Sequence, residues 1–309
     1  MKLYFAPLEG IGTYIYRNAH NQFFGGCDAY YAPFIYPTES ERISKKHLKD
    51  ILPENNSGVN IMVQILTNNV MAAVNFCEKI KSLGYDEVNI NMGCPYTMVV
   101  KKGRGAGLIK DKFVLKKFLD EIYSRLDIDV TLKTRAGYTS SEEMEDIIRI
   151  CNNYSMPRLI IHPRTREEFY KGMPHMDAFD AAYKLSENKL CYNGDVYSVE
   201  DFNRITAAYP NLDSVMIGRG ILRNPALFRE INGGKRLNTD ELKDFTMFLG
   251  DIYFDILKSE TFTLHKLKEI WVYMSQNYPQ DKKAWKKMKK SNNLADFYAA
   301  MNLLPKNID

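Results

Sequence analysis

No two cysteines in this 309-residue chain are spaced CxxC, no two histidines form HxxxH or HExxH, and the cysteine count is odd: Cys27, Cys77, Cys94, Cys151 and Cys191. Those absences exclude a cysteine-clamped zinc site and a disulfide framework, and no metal is expected. No run approaches the roughly 18 apolar residues that would span a bilayer, so no membrane partner is expected. The opening MKLYFAPLEG is broken at Glu9 and does not read as a signal peptide. A reducing cytoplasm is the expected compartment. Familiar nucleotide motifs are missing as well. Gly103, Gly105 and Gly107 read GxGxG rather than GxGxxG, and no acidic residue closes the next strand, DVTLKT. No Gly-Lys-Ser/Thr follows to make a P-loop. Neither sign of charge dominates: 42 basic side chains exceed 38 acidic ones by four, for a pI near 8.6. That balance admits nucleic acid without arguing for it.

What is present is a recurring β-rich run. KLYFAP opens at Lys2, DAYYAPFI at Asp28, NIMVQIL at Asn60 and EVNINMG at Glu87. DVTLKTR follows from Asp129, RLIIHPR from Arg158, KLCYNGD from Lys189 and SVMIGRG from Ser214. Amphipathic stretches such as 70–84, 111–126, 141–153 and 198–209 separate them. Strands alternating with helices of this length read as βαβ units around a parallel sheet. Eight units in about 230 residues is the count and size of a (β/α)8 TIM barrel, with an open doubly wound sheet as the rival. Nearly every run ends in a residue that is costly to bury alone: Glu9, Gln64, Asn91, Lys133 with Arg135, His162 with Arg164, Asn193 with Asp195, and Arg219. In a barrel those ends converge on one mouth.

Beyond the glycine pair of NGGKRLN the strand patterns stop and only helical ones continue. The chain therefore reads as a barrel over 1–235 and an all-helical domain over 236–309.

The last strand leads into Gly218, Arg219 and Gly220, and then Asn224-Pro225, a cap and first-turn pair. Free N–H groups there would make a phosphate cradle of the kind barrels build after their final strands; an ordinary glycine turn would read the same way. Asn193, Gly194 and Asp195 sit one strand earlier and could form its other half. Lys133 offers a cation to an anionic ring or phosphate, His162 and Arg164 share its rim, and Gln64 is an amide suited to a heterocycle's edge. A flavin mononucleotide fits such a pocket. Cys94, between Gly93 and Pro95, leaves its strand on the mouth side, where a protonated thiol could donate to carbon opposite a flavin hydride. Cys77 and Cys151 lie on helical patterns and read as buried core.

Taken together, APLEG (6–10), VQIL (63–66), NINMGCP (89–95), GRGAGLI (103–109), LKTRAGY (132–138), IIHPRTREEFYKG (160–172), NGDV (193–196) and IGRG (217–220) resemble the tRNA-dihydrouridine synthases, in family order. The resemblance implies a flavin mononucleotide (FMN) barrel with a helical domain that grips tRNA. It also implies NADPH as reductant and reduction of the uracil C5–C6 bond. By the same resemblance Cys94 is the proton donor to C5, with hydride passing from flavin N5 to C6. Pro7, Leu8 and Glu9 form a first flavin segment, and Gln64, Lys133 and His162 are ring and ribityl contacts. Asn193, Gly194, Asp195, Gly218 and Arg219 lie on the phosphate side, and Asn91 and Arg135 near the base. Two positions depart from the pattern: Thr97 stands where many members carry a basic residue, and Pro163 where glycine is common.

RNA contacts are expected from Lys101, Lys102, Arg104 and Arg164 around the mouth. The lysine-dense KKAWKKMKK (282–290), including Lys286 and Lys287, should turn Trp285 and Met288 inward and its lysines outward. Two other functions fit the same residues: an FMN barrel dehydrogenase acting on a free pyrimidine, and a non-catalytic tRNA-binding protein.

Overall fold

The computed structural model describes residues 1–39, 43–306 and 308. Each β-rich run contains a strand: β1 Lys2–Phe5, β2 Ala29–Tyr31, β3 Ile61–Ile65, β4 Glu87–Met92, β5 Asp129–Gly137, β6 Leu159–Thr165, β7 Leu190–Tyr192 and β8 Ser214–Ile217. All neighbours are parallel, and β1 pairs with β8 from Lys2↔Ser214 to Phe5↔Ile217. That pairing closes the barrel and excludes the open sheet. Strands such as β4 and β6 are buried along their whole length, as expected where helices cover the outside and side chains fill the inside.

The period of two along each strand decides what enters the barrel. On β4 it turns Glu87, Asn89 and Asn91 inward; on β5, Thr131, Lys133 and Arg135. The floor is apolar with an ion pair: Tyr4, Tyr31, Ile160, Cys191 and Met216 pack together, and Arg158 meets Glu87 at 2.5 Å. Above the floor, polar side chains climb as a hydrogen-bonded chain. Thr131 Oγ1 donates to Glu87, Asn89 Nδ2 donates to Thr131 Oγ1, and Gln64 Nε2 donates to Asn89 Oδ1. A buried amide left unpaired would cost on the order of 1–3 kcal/mol, so this chain fixes each rotamer in turn.

The helices foreseen at 70–84, 111–126 and 198–209 appear as Val70–Ser82, Lys112–Arg125 and Val199–Ala208; that at 141–153 is a short 3-10 turn followed by Met144–Cys151. Past the barrel, Asn238 caps Thr239–Leu257 and Ser259 caps Glu260–Met274. The final helices are Lys283–Lys290 and Leu294–Met301. The C-terminal helices dock on the barrel. Phe245 packs on Tyr16, Phe23 and Phe24 of the first barrel helix and its C-cap, with ring centroids 4.9–6.1 Å apart. Arg223 and Asn277 exchange two hydrogen bonds, and one apolar core runs through both regions. In Lys283–Lys290, Met288 is fully buried and Trp285 packs against the core, while the lysines lie outside. Among the described residues no helix is long and apolar enough to cross a membrane, and no His/Cys/Asp/Glu group could hold a metal.

Candidate active site

The C-terminal ends of the strands surround a cavity of about 500 Å³. Pro7, Leu8, Glu9, Asn91, Cys94, Lys133, Arg135, His162, Asn193, Gly194, Asp195, Gly218 and Arg219 all line it. Residues spread over more than two hundred positions are therefore brought to one opening by the barrel's register.

Cys94 is held by its backbone. Asn91 Oδ1 accepts from the N–H groups of Gly93 and Cys94 at 3.0 and 2.9 Å, and Asn91 Nδ2 donates to Gln64 Oε1 at 2.9 Å. Arg135 Nε donates to Gly93 O at 2.8 Å. The glycine-rich loop then folds back onto this turn: Ala106 N–H donates to Cys94 O, and Gly105 has φ +56°. A Cβ at Gly105 would lie 2.8 Å from Cys94 O and 2.9 Å from Cys94 Cβ, so only glycine fits. The loop's glycines thus support the cysteine instead of binding a phosphate. Burial pushes the thiol pKa up; the Tyr96 backbone, Arg135 and Lys133 pull it down but do not win. Cys94 is consequently a protonated thiol at neutral pH.

The wall beside it carries the cations Lys133, Arg135 and Arg219, with Glu9 and Asp195 as the acidic residues of the lining. Burial, and then Arg135, lower Lys133 to about 8, and among the described residues no carboxylate pairs with it. Burial also drives His162 well below its ordinary value, assisted by Arg135, Lys133, Arg164 and Arg219. The ring is therefore neutral. Arg164 Nη1 approaches His162 Nε2 at 3.2 Å, and a guanidinium can only donate, so the hydrogen of His162 sits on Nδ1. Asp195 accepts from Arg219 at 2.7 Å and from both terminal nitrogens of Arg164. Burial would raise its carboxyl pKa, but the two arginines overcome that and keep it charged. Asp195 thus orients Arg219, and the positive charge that no carboxylate pairs with, among the described residues lining the cavity, sits on Lys133 and Arg135.

That donor set fits a flavin mononucleotide. Lys133 and the His162 Nδ1–H would offer donors to an electron-rich ring, and Arg219 with the Gly218 turn lines the side of the cavity where a phosphate would be held. Gly218 brings the main chain close to β1, where an added Cβ would lie 3.3 Å from that of Ala6.

A family profile described as dihydrouridine synthase (Dus) matches residues 4–303. The chain belongs to the dihydrouridine synthase family. Among curated relatives, tRNA-dihydrouridine synthase B of Pasteurella multocida is 28% identical over 74% of this chain and 68% of its own length. The tRNA-dihydrouridine(16) synthase of Cupriavidus necator is 27% identical over 75% of this chain and 74% of its own. An Arabidopsis thaliana protein named tRNA-dihydrouridine(47) synthase [NAD(P)(+)]-like is 32% identical over 53% of this chain, which spans only 25% of that longer protein. Solved structures with the same barrel include morphinone reductase in complex with tetrahydroNAD, with a TM-score of 0.52 at 11% identity over 76% of this chain and 88% of that one. The old yellow enzyme from Trypanosoma cruzi gives 0.54 at 11% over 77% and 89%. At such identities these two show the fold alone.

Several members of this dihydrouridine synthase site lie elsewhere than expected. Gln64 does not line the cavity: its amide is consumed by Asn89 and Asn91, so it acts on Cys94 through Asn91. Arg164 is almost wholly buried and holds the loop after β6 by donating to Lys171 O and Gly172 O, out of reach of RNA. Lys101 and Lys102 are exposed off the cavity; Arg104 bonds Asn68 and lies 5.9 Å from the Tyr36 ring. Asn224-Pro225 does not open into the mouth either. One helical turn, Arg219–Arg223, intervenes, so Pro225 O instead accepts from His20, packed against the barrel's first helix.

Several wall residues are not singled out by the sequence, Tyr96, Tyr170, Tyr273 and Gln276 among them. Tyr170 stands over the mouth, 4.7 Å from the Arg219 guanidinium and 5.4 Å from that of Arg135. Phe169 before it takes φ 53°, a conformation fixed by Arg135 donating to its carbonyl at 2.7 Å. Tyr273 and Gln276 reach the cavity from the C-terminal helical region.

Proposed function

We propose that this chain is an FMN-dependent tRNA-dihydrouridine synthase using NADPH. The carrying observation is a protonated, backbone-clamped thiol on the wall of a cationic barrel mouth in a dihydrouridine synthase. Lys133, His162 and Arg219 would hold the flavin, with the 7–9 and 193–195 segments beside it. A flavin held there and reduced by NADPH would supply the hydride that uracil C6 receives. Cys94 Sγ–H gives its proton to C5, and Asn91 and Arg135 keep the cysteine turn rigid while this happens. The thiolate left behind is reprotonated from solvent. The neighbouring cations then lower the barrier to its formation without populating it in the resting protein.

Duplex and folded RNA hide their bases, so the uridine must be drawn out to reach a cavity of this depth. The exposed rings of Tyr96 and Tyr170 at the opening suit that task. We assign 1–235 to catalysis and 236–309 to tRNA grip, with the helical region also completing the cavity through Tyr273.

The test is direct. Purified protein should be yellow, and with NADPH and an unmodified tRNA transcript it should yield a nucleoside two mass units heavier than uridine. Colourless protein after FMN reconstitution, or equal turnover of free uracil, would refute the reading. Replacing Lys286, Lys287, Lys289 and Lys290 together by alanine should weaken tRNA binding about tenfold in moderate salt and flatten its salt dependence. An unchanged salt series would remove that helix from the interface.

A further inference from the structure

Beside the cavity, outside its wall, lies a ladder of cations and rings that the chemistry above does not use. The Arg166 guanidinium lies 5.5 Å from the Tyr138 ring centroid and 5.7 Å from that of Phe169. Lys110 Nζ lies 5.5 Å from the same Tyr138 ring. Phe169 in turn meets Tyr96, a cavity-wall residue, edge-on at 6.2 Å. Arg166 Nη2 reaches Thr97 Oγ1 at 3.4 Å, three residues after the catalytic cysteine. The ladder therefore begins at the lip of the cavity and runs outward.

Its charges are uncommitted. Some nearby cations have carboxylate partners, Lys112 with Glu143 and Arg164 and Arg219 with Asp195, while Arg135 is spent on the carbonyls of Gly93, Thr165 and Phe169. Among the described residues neither Arg166 nor Lys110 has one, and Arg166 Nε is buried without a hydrogen-bond partner. The Arg166 main chain is fixed, its N–H donating to Gly137 O at 2.9 Å. A planar guanidinium held by rings on a fixed backbone, its Nη1 free of protein partners among the described residues, is suited to a phosphate and the base attached to it.

We propose that Arg166, on its Tyr138–Phe169 platform, binds the phosphate and base of the nucleotide adjacent to the uridine drawn into the cavity. This rests on tRNA being the substrate. The site carries out no chemistry; it fixes the strand so that the neighbouring base enters the mouth. Arg166 thereby supplies a cation beside Thr97, a position that itself carries none.

The experiment measures equilibrium binding of an unmodified tRNA transcript to the full-length holoprotein over a salt series, so it does not depend on turnover. Arg166→Ala should weaken binding about tenfold. It should also lower the slope of log affinity against log salt by about 0.7, the value for one phosphate contact on a single strand. Arg166→Lys should recover the slope, because the charge remains, but only part of the affinity, because the planar stack is lost. In steady state the alanine variant should raise KM for tRNA more than it lowers kcat. An unchanged affinity and slope in a protein of wild-type thermal midpoint overturns the proposal. So does an affinity loss equal at every salt concentration and accompanied by a lower midpoint, which would make Arg166 a prop for its loop. A wild-type protein that binds tRNA but forms no dihydrouridine overturns the proposed reaction instead and leaves the salt comparison decisive for Arg166.

Discussion

Cys94→Ala should reduce dihydrouridine formation on tRNA by about 10²–10⁴-fold, the range for removing a positioned general acid. The thiol is one of two ordinary ways to protonate carbon in such a pocket, the other being bulk water, and burial works against water. Flavin content and thermal midpoint serve as controls, because the turn around residue 94 is held by main-chain bonds from Asn91, Arg135 and Ala106 that alanine keeps. A yellow, folded variant with undiminished product would refute the assignment.

The same geometry sets a pH dependence whose sign is fixed. Burial raises the Cys94 pKa above its ordinary value of 9.0, and the active form of an acid is the protonated one. The proton-transfer step should therefore stay flat from about pH 6 to 8.5 and decline only above that. A rate that climbed steadily through neutrality would mark the thiolate as the working species. Single-turnover measurements with pre-reduced enzyme isolate this step from NADPH oxidation.

How much of this site is legible in the sequence depends on the distance between a residue and its strand. Lys133, His162 and Asn193 were legible because the period of two and the common strand direction leave no freedom: a polar residue at the C-terminal end of a barrel strand reaches the mouth. Gln64 shows the limit. It obeys the same period, but the sequence does not reveal that Asn89 and Asn91 absorb both ends of its amide. Arg164 similarly reads as a surface cation until Asp195 and two loop carbonyls are found around it. Tyr170 lies within IIHPRTREEFYKG (160–172), yet its place over the mouth depends on a loop path set by Phe169 in the left-handed region. Tyr273 was beyond reach, since helical periodicity places Trp271 and Met274 in the core but does not say which barrel strand the helix faces. The helical region itself was plain from the loss of strand patterns after residue 238.

Lys133→Met should separate stability from function and move them in opposite directions. In the cofactor-free protein Lys133 titrates at about 8, lowered from 10.5 chiefly by burial. Between those two values the unfolded chain binds more protons than the folded one, so stability rises with pH across that window. Below about pH 8 the folded protein bears the cost of this partly buried ammonium, on the order of 2–3 kcal/mol. Methionine keeps the side chain's length and removes the charge, so the cofactor-free variant should melt about 2–5 °C higher at neutral pH. An anionic ligand in the cavity offsets the same cost in the wild type, and the variant forfeits that gain. Its FMN affinity should fall roughly ten- to hundred-fold, measured by fluorescence on reconstitution. The wild type's thermal gain from FMN should also shrink as pH rises from 7 toward 9.5, because the ammonium is already discharged. Should the variant melt lower and bind FMN as well as the wild type, Lys133 would be a packing residue with no part in holding the cofactor.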